Sequence, residues 1–438
     1  DESSAILQRI RELAIQSASD LMNGEERLYL QTEANQLIAE LDRVARDTTF
    51  NEIAVLDGTF ADRRFQIGSK EREAATVSIG NLRTTAIGNH TVRTEAATGA
   101  TLSATAVSLG TADTIADEDF TIHGLLGSKT IDVVAGSTAR DVAEAVNIQF
   151  DQTGVTATAS TNMKIQAKGT AGSATLSIGI KGKNTAVRTI SAGVTLAAAV
   201  GGSDLTGLSN SINAYSAETG IVAVLSADKA TVYLTQDEGF NIALTDLDFA
   251  DTTDDSRDLQ VTGMDARIFD ADGDELLSGT AKTMTDTSHS SGSGKDAIVG
   301  GQVMMHSSHS FTATTTNTNG DLFQSSPGAA TLNKVSDLSL RSRSKAIDAL
   351  KVVDKALDKI HMERAKLGAV MSRMDQAIDN LTNVSANTSS AKSRIVDADM
   401  AAESAVLAKS QVLQQSAMAM IAQASRAQQS ILTLLQGM

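Results

Sequence analysis

Residues 350–381, LKVVDKALDKIHMERAKLGAVMSRMDQAIDNL, carry apolar side chains in alternating steps of three and four for more than four heptads. This period predicts a helix whose apolar stripe packs against another helix in a coiled-coil-like seam. The stripe comprises Leu350, Val353, Leu357, Ile360, Leu367, Met371, Met374, Ile378 and Leu381, and only Arg364 interrupts it. An isolated amphipathic helix is unstable in water, so the stripe needs a partner helix.

The beginning of the chain offers that partner. Around LQRIRELAIQSAS, residues 7–19, the apolar residues Ile6, Ile10 and Leu13 share one helical stripe. A second stripe follows between positions 30 and 44, after a break at Asn23-Gly24. We therefore predict an α+β, multidomain chain whose two ends form an antiparallel coiled-coil-like helical bundle, with β-rich domains inserted between them. After the polar stretch NVSANTSSAKS, residues 383–393, a separate C-terminal helix is expected.

The composition excludes several classes of function. The 438 residues include 37 Lys and Arg against 53 Asp and Glu, a net charge of −16, whereas nucleic acids and anionic membranes bind basic surfaces. The chain has no Cys, which excludes disulfides and thiolate metal sites. No run of 18 apolar residues is present, so no transmembrane helix is predicted. We expect neither a nucleic-acid nor a membrane partner.

The middle of the chain contains a duplicated segment. VAEAVNIQFDQTGVTATAS (142–160) and LSNSINAYSAETGIVAVLS (208–226) align without a gap, 66 residues apart. Each copy is typical of a short helix, a Thr-Gly turn and a strand. The helical core is expected to comprise residues 1–57 and 331–385, with a β-hairpin or extended part at 58–95 and a C-terminal helix at 386–438. Between them we expect an insert at 96–240, with the two copies at about 118–168 and 184–240, and a β-rich part at 241–330.

Two groups of residues could bind a metal. Asp270, Asp272 and Asp274 are spaced as at the start of a calcium loop, but the Gly and Glu that such a loop requires are absent. A β-hairpin turning at Asp272-Gly273 explains the same residues. His306 and His309 lack the further ligands that zinc needs. We therefore predict no metal and no cofactor. The sequence also lacks H-E-x-x-H and G-x-S-x-G, and no catalytic residues are predicted.

Both ends of the chain resemble bacterial flagellins. The resemblance rests on LQRIRELAIQSAS, ELDRVARDTTFNEIAVLDGTF and FQIGS near the beginning and on SRIVDADMAAESAVLAKSQVLQQSAMAMIAQAS with ILTLLQ near the end. It covers roughly residues 1–85 and 335–438. The duplicated unit is similar to the insert module found in many flagellin middle regions. Flagellins carry a further helix upstream of the position that matches residue 1, so the resemblance implies that this sequence is N-terminally incomplete.

The resemblance implies a secreted, extracellular subunit of the bacterial flagellum filament that polymerises through its terminal helices and serves motility. The implied partners are other flagellin subunits, the flagellar export machinery, a flagellin export chaperone, and the filament cap and hook-junction proteins. Two other functions remain open, namely a cell-surface adhesin or carbohydrate-binding protein on the same scaffold, and a hook-filament junction protein. Sugar binding usually needs clustered aromatic rings, whereas this chain has three Tyr and no Trp.

The resemblance also implies an interface on the first helix. In flagellins, the polar face matching LQRIRELAIQSAS contacts the next subunit of a protofilament and is bound by a Toll-like receptor of vertebrate innate immunity. The matching positions here are Leu7, Gln8, Arg9, Leu13 and, on the second helix, Glu33. A solvated helix face is the alternative interpretation of the same charges.

Overall fold

A computed structural model describes residues 1–19, 21–68, 73–94, 119–250, 257–269, 275–277, 282–285, 296–315 and 328–437. The chain divides into two compact units. The first unit comprises Asp1–Thr59 and Gly80–Met362, and the second comprises Phe60–Ile79 and Glu363–Met438.

The helices are α1 (Glu2–Ser17), α2 (Gly24–Asp47), α3 (Ala139–Ile148), α4 (Phe150–Thr153), α5 (Thr206–Asn213), α6 (Ser216–Thr219) and α7 (Arg343–Gln436), with a 3-10 turn at Val335–Asp337. Asn23 and Thr138 begin α2 and α3 with capping boxes, in which side chain and backbone bond reciprocally. The predicted break at residues 383–393 is wrong, because α7 continues through it. That stretch has no Gly or Pro, and Ser, Thr and Asn each disfavour a helix by less than about 1 kcal/mol.

The strands, in chain order, are β1 (Thr49–Phe50), β2 (Ile53–Ala54), β3 (Arg63–Gln66), β4 (Ala74–Val77), β5 (Gly88–Arg93), β6 (Phe120–His123), β7 (Ser128–Ile131), β8 (Thr156–Lys168), β9 (Gly172–Lys181), β10 (Arg188–Leu196), β11 (Val222–Leu225), β12 (Thr231–Gln236), β13 (Ile242–Phe249), β14 (Asp258–Phe269), β15 (Glu275–Leu277), β16 (Lys282–Thr285), β17 (Ala297–Val299), β18 (Gln302–Ser307), β19 (Thr312–Thr315), β20 (Gly328–Ala329) and β21 (Thr331–Lys334). In the second unit, β3 and β4 form an antiparallel hairpin.

The two chain ends pack together in the first unit. One apolar core joins Ile10 of α1, Leu41 of α2 and Val353 of α7, all of which are fully buried. Polar contacts join the same helices, since Arg11 Nε donates to Asp354 Oδ1 at 2.7 Å. The predicted pairing of the chain ends, with β-rich domains inserted between them, is therefore confirmed.

The predicted seam is covered along only part of its length. In the first unit Val353 and Ile360 are buried, and Leu350 and Leu357 are partly buried. In the second unit Leu367 and Met374 are partly buried, whereas Met371, Ile378 and Leu381 are exposed, at 64%, 58% and 36%. The buried seam residues belong to the first unit, where α1 and α2 span about 24 and 36 Å at about 1.5 Å per residue.

The inserted region has two separate apolar cores, each built around one copy of the duplicated segment. One core includes α3, β6, β7, the start of β8, β18 and β19, and we call this group of elements the first module. The other includes α5, β9, β10, β11, β12 and β13, which with α6 form the second module. Strand β8 passes between them, since Thr156–Ser160 pairs with β18 and Thr161–Gln166 pairs with β12.

The second module is nested inside the first. The first module begins with β6 and β7, and its last strands, β18 and β19, come after the whole second module. Strand β19 pairs with β6 as β13 pairs with β9, and β18 pairs with β8 as β12 pairs with β11. Two consecutive copies, at about 118–168 and 184–240, were expected. The strands that complete the first copy instead come from residues 302–315.

The duplication is confirmed by hydrogen bonds that occur at matching positions in both copies. In the first copy the Asn147 side chain bonds the backbone N–H and C=O of Ala157, at 2.8 and 2.9 Å. In the second copy Asn213 bonds Ala223 in the same way, at 2.8 and 2.7 Å. Each copy then turns through a left-handed glycine with φ of 72°, a conformation that glycine adopts without steric cost. The two copies are therefore one folded unit repeated.

Candidate functional site

The polar face of α1 presents an arginine held between two carboxylates. Arg9 donates from Nε and Nη2 to Glu33 Oε1 of α2, at 3.0 and 2.7 Å, and from Nη1 to Glu12 Oε2 at 3.0 Å. Gln8 is exposed beside Arg9. Because α1 packs on α2, the structure brings Arg9 and Glu33 together although 24 residues separate them. We call Gln8, Arg9, Glu12 and Glu33 the Arg9 surface.

The Arg9 surface faces solvent. The side chains of Arg9 and Glu33 are about half exposed, and the Glu33 and Glu12 carboxylates raise the pKa of Arg9. Exposed ion pairs of this kind contribute little to folding stability. The Arg9 guanidinium and the two carboxylates thus hold each other in a defined orientation at the surface. Such an arrangement suits contact with another protein.

Two of the residues matched to this interface, Leu7 and Leu13, are fully buried. Leu13 lies on the apolar stripe predicted for α1. Leu7 joins the core that contains Ile38 of α2 and Val352 of α7. A helix that contacts two neighbours buries a wider stripe of its surface than one that contacts a single neighbour. Leu7 lies in the part of the α1 surface that the second neighbour covers.

Glu12 is the member of the Arg9 surface that sequence reasoning missed as a site residue. It bonds Arg9 and is strongly exposed. Its position three residues after Arg9 on one helix was the available signal, because residues at this spacing are neighbours on a helix surface. Arg11 lies on the same helix but bonds Asp354, so it joins α1 to α7 and lies outside the surface.

The second unit carries a long exposed apolar row on α7. Beyond the seam residues Met371, Ile378 and Leu381, the exposed large apolar side chains are Val384, Ile395, Val396, Met400, Val406, Leu407, Val412, Leu413, Met418, Met420, Ile421, Ile431, Leu432, Leu434 and Leu435. Exposed apolar surface on this scale is typical of a protein–protein interface. We call these exposed side chains, together with Met371, Ile378 and Leu381, the α7 row.

The residues weighed as metal ligands do not form a site where they are described. His306 is buried and bonds Asn89 and Thr158, while His309 contacts Ser308. Burial lowers the pKa of His306 to about 3, helped by the charges of Lys351 and Lys355. Asp270, Asp272 and Asp274 lie outside the described residues. Among the residues that the structure describes, no group of three His, Asp or Glu side chains could hold an ion.

No helix in the described part of the chain combines the length and apolar character needed to cross a membrane.

Comparison with known proteins finds matches to flagellin family models at both ends of the chain and in its middle. Residues 1–61 match the bacterial flagellin N-terminal helical region and residues 350–435 match the C-terminal helical region. Residues 119–171, which include most of the first copy, match the flagellin hook IN motif.

Individual relatives extend the match over the whole chain. B-type flagellin from Pseudomonas aeruginosa is 34% identical over 435 residues, covering 99% of this chain and 83% of that protein. Flagellin A from Helicobacter pylori is 28% identical over 453 residues, covering 99% and 84%. A solved structure of FliC from Burkholderia pseudomallei is 24% identical, covering 31% of this chain and 52% of that one, with a TM-score of 0.21. The sequence relatives therefore carry the identification: the chain belongs to the bacterial flagellins and is a structural subunit of the extracellular flagellar filament.

Proposed function

We propose that the Arg9 surface and the α7 row form the contacts by which copies of this chain assemble into a filament. The observation that carries the proposal is the arginine fork of Arg9, aligned by Glu12 and Glu33 at the surface and off the buried stripe of α1. Arginine is enriched at the residues that dominate binding energy in protein interfaces. In flagellins, the matching face contacts the next subunit along a protofilament.

The α7 row supports the second contact. Its apolar side chains alternate with polar ones over a helix that needs partners along its length. Burial of apolar surface contributes about 25 cal/mol per Å², so a row of this length supplies a large share of an assembly energy. A heterologous contact repeated between copies that does not close into a ring generates a helical filament.

The same row needs cover before assembly, because exposed apolar rows promote aggregation. We therefore propose a flagellin export chaperone as the partner that covers α7, and the export machinery as its route out of the cell. The filament cap and hook-junction proteins would meet the same contact surfaces at the two ends of the filament. We propose a structural role for these surfaces, with no catalytic step.

Receptor binding is a second candidate for the Arg9 surface. Its support is the exposure of Gln8, Arg9 and Glu33 at positions that match those bound by a Toll-like receptor in flagellins. A receptor would then compete with the neighbouring subunit for one surface. Monomer should bind, and intact filament should not.

Three substitutions test the assembly proposal in filaments and in monomer. Arg9→Ala should leave the melting temperature of the monomer nearly unchanged and raise the critical concentration for polymerisation about thirtyfold, equivalent to about 2 kcal/mol. Leu13→Ala should instead lower the stability of the monomer by roughly 2–5 kcal/mol, the range for a buried leucine. Arg43→Ala, which removes a comparably exposed arginine that pairs with Glu40 on α2, is the matched control and should change neither quantity.

Two results would contradict the assignment of Arg9. If Arg9→Ala melts as early as Leu13→Ala, the arginine stabilises the monomer and is not an interface residue. If it alters neither melting, polymerisation nor receptor affinity, the charged face is only solvated.

A further inference from the structure

Four exposed apolar side chains lie on two segments of the first module, residues 124–127 and 148–154, that touch each other. Leu125 and Leu126 form the tip of the β6–β7 hairpin, and Ile148 and Phe150 lie where α3 ends and α4 begins. All four are exposed. The two segments meet at Gly154: its N–H donates to the Phe150 carbonyl at 2.7 Å, and a methyl group on it would lie 3.6 Å from Cγ of Leu126. We call these four residues the apolar patch.

The second module shows that the shared fold does not require this patch. Gly124 and Gly182 are equivalent, because a Cβ on either would overlap the carbonyl oxygen of the matching turn threonine, Thr153 or Thr219. From that equivalence and from the 66-residue offset, the positions of Leu125, Leu126, Ile148 and Phe150 are taken in the second module by Lys183, Asn184, Ala214 and Ser216. At these four positions the first module thus carries apolar side chains, whereas the second module carries small or polar ones.

Position in the chain distinguishes the two modules. The first module is continuous with the helical core, since Ile87, a residue of that core, directly precedes β5, and β5 contains Val92, a residue of the first module's core. The second module is inserted within the first and adds nothing to the helical core. The module that carries the apolar patch is therefore the one that is continuous with the helical core.

We propose that the apolar patch is a contact surface for a neighbouring copy of this chain within the filament, a second contact beyond those of the helices. The proposal rests on the chain being a filament subunit. Four side chains cover far less than the roughly 1,200–2,000 Å² that a stable interface buries, so the patch does not form a dimer in solution. It binds where the helices already hold two copies side by side, because a tethered contact benefits from a high effective concentration.

The absence of cysteine in the chain provides a direct test. A single cysteine is introduced as Leu126→Cys or, as the matched control, as Val134→Cys; these positions are 60% and 63% exposed and both lie in the region of the first module. Maleimide labelling is timed on monomer and on filaments sheared from cells. Thiol reactivity depends on access, and we expect labelling at position 126 to be at least about tenfold slower in filament than in monomer. At position 134 the two rates should agree.

Each other outcome contradicts the proposal in its own way. Equal rates at position 126 in monomer and filament mean that no neighbour covers the patch. Slow labelling in both states means that the chain itself covers it. Equal slowing at both positions means general shielding of the region, without a contact at the patch. Failure of the unsubstituted chain to form filaments contradicts the filament assignment itself and is seen before any labelling.

A second pair of variants measures the energetic effect of the patch. The combined change Leu126→Asn and Phe150→Ser places the second module's own residues on the first module. It should leave the monomer's melting temperature unchanged and raise the critical concentration about tenfold, equivalent to about 1.4 kcal/mol. Val134→Thr should alter neither quantity. An unchanged critical concentration for the double variant would overturn the proposal.

Discussion

His306 is a neutral base fixed in an almost fully buried position. Its ring nitrogens lie 2.9 Å from Asn89 Nδ2 of β5 and 3.1 Å from Thr158 Oγ1 of β8. Burial lowers its pKa to about 3, and the positive charges of Lys351 and Lys355 on α7 act in the same direction. His90, on the neighbouring strand, has its pKa lowered to about 4 for the same reasons, with Lys359 and His309 as the nearby charges. A histidine that stays neutral in the fold but takes up a proton when unfolded makes stability depend on pH.

We predict that this part of the molecule loses stability as the pH falls from about 6.5, the ordinary histidine pKa, towards 3. The folded pKa of His306 is depressed, so its contribution is complete above the unfolded pKa and is lost on acidification, by about 1.4 kcal/mol per pH unit. Urea unfolding at pH 7 and pH 4.5 should show a smaller pH effect for His306→Gln than for the unsubstituted chain. His123→Gln, which changes an exposed histidine, should retain the full effect; equal slopes in all three proteins would exclude His306 as the source.

At the scale of elements, the asparagine side chains of the two modules act as strand partners. Asn213 bonds both polar backbone groups of Ala223 in β11, and β11 lies at the end of its sheet. An unpaired strand edge is a template for aggregation, so this side chain occupies part of an edge that would otherwise be available to another chain. Asn147 makes the same pair of bonds to Ala157.

We predict that Asn213→Leu destabilises the second module by roughly 1–3 kcal/mol, because Ala223 is buried, its N–H loses its side-chain partner and its C=O keeps only the 3.4 Å bond from Ser209 Oγ. Hydrogen exchange of the Ala223 amide should accelerate, and the variant should aggregate more readily. Asn210→Ala on the same helix, where the side chain is exposed, is the control and should change neither property. Unaltered exchange at Ala223 would show that the strand does not depend on the asparagine.

In the whole molecule, the two apolar cores of the inserted region take their residues from separate parts of the chain. The first module's core takes its members from residues up to Ala157 and from Val303 onward, whereas the second core lies between Met163 and Val299. The chain leaves and re-enters the first module at adjacent positions, because Ser160 and Gln302 are paired on β8 and β18. Residues 161–301 thus contain a complete core between two neighbouring ends.

We predict that residues 161–301 can be replaced by a two-residue Asn-Gly turn, which suits a tight hairpin between antiparallel strands. The shortened chain should keep the cooperative thermal transition of the helical core and first module and should still polymerise. Calorimetry of both chains should show the loss of the transition that belongs to the second module alone. Collapse of all transitions together would mean that the two cores fold as one cooperative unit.

Elements with local signals could be predicted from the sequence. Heptad spacing identified α1, α2 and the two apolar stretches of α7, though not their continuity, because a helix repeats its face every 3.6 residues. The duplicated Asn and Thr-Gly positions identified the modules because each turn is bonded within about ten residues. The same logic located Arg9 on an exposed face, since it lies off the apolar stripe of α1.

Which side chains are buried depends on contacts between distant segments. Burial of Leu7 depends on α1 having two neighbours, and burial of Val353 depends on the core that α7 shares with α1 and α2 in the first unit. The nested order of the modules depends on β18 and β19 pairing with strands far away in sequence. The equivalence of Gly124 and Gly182 was hidden because their spacing, 58 residues, differs from that of the turns. Periodicity records the environment of a residue within its own element, whereas strand pairing and helix coverage are set by contacts between distant segments, which no local pattern encodes.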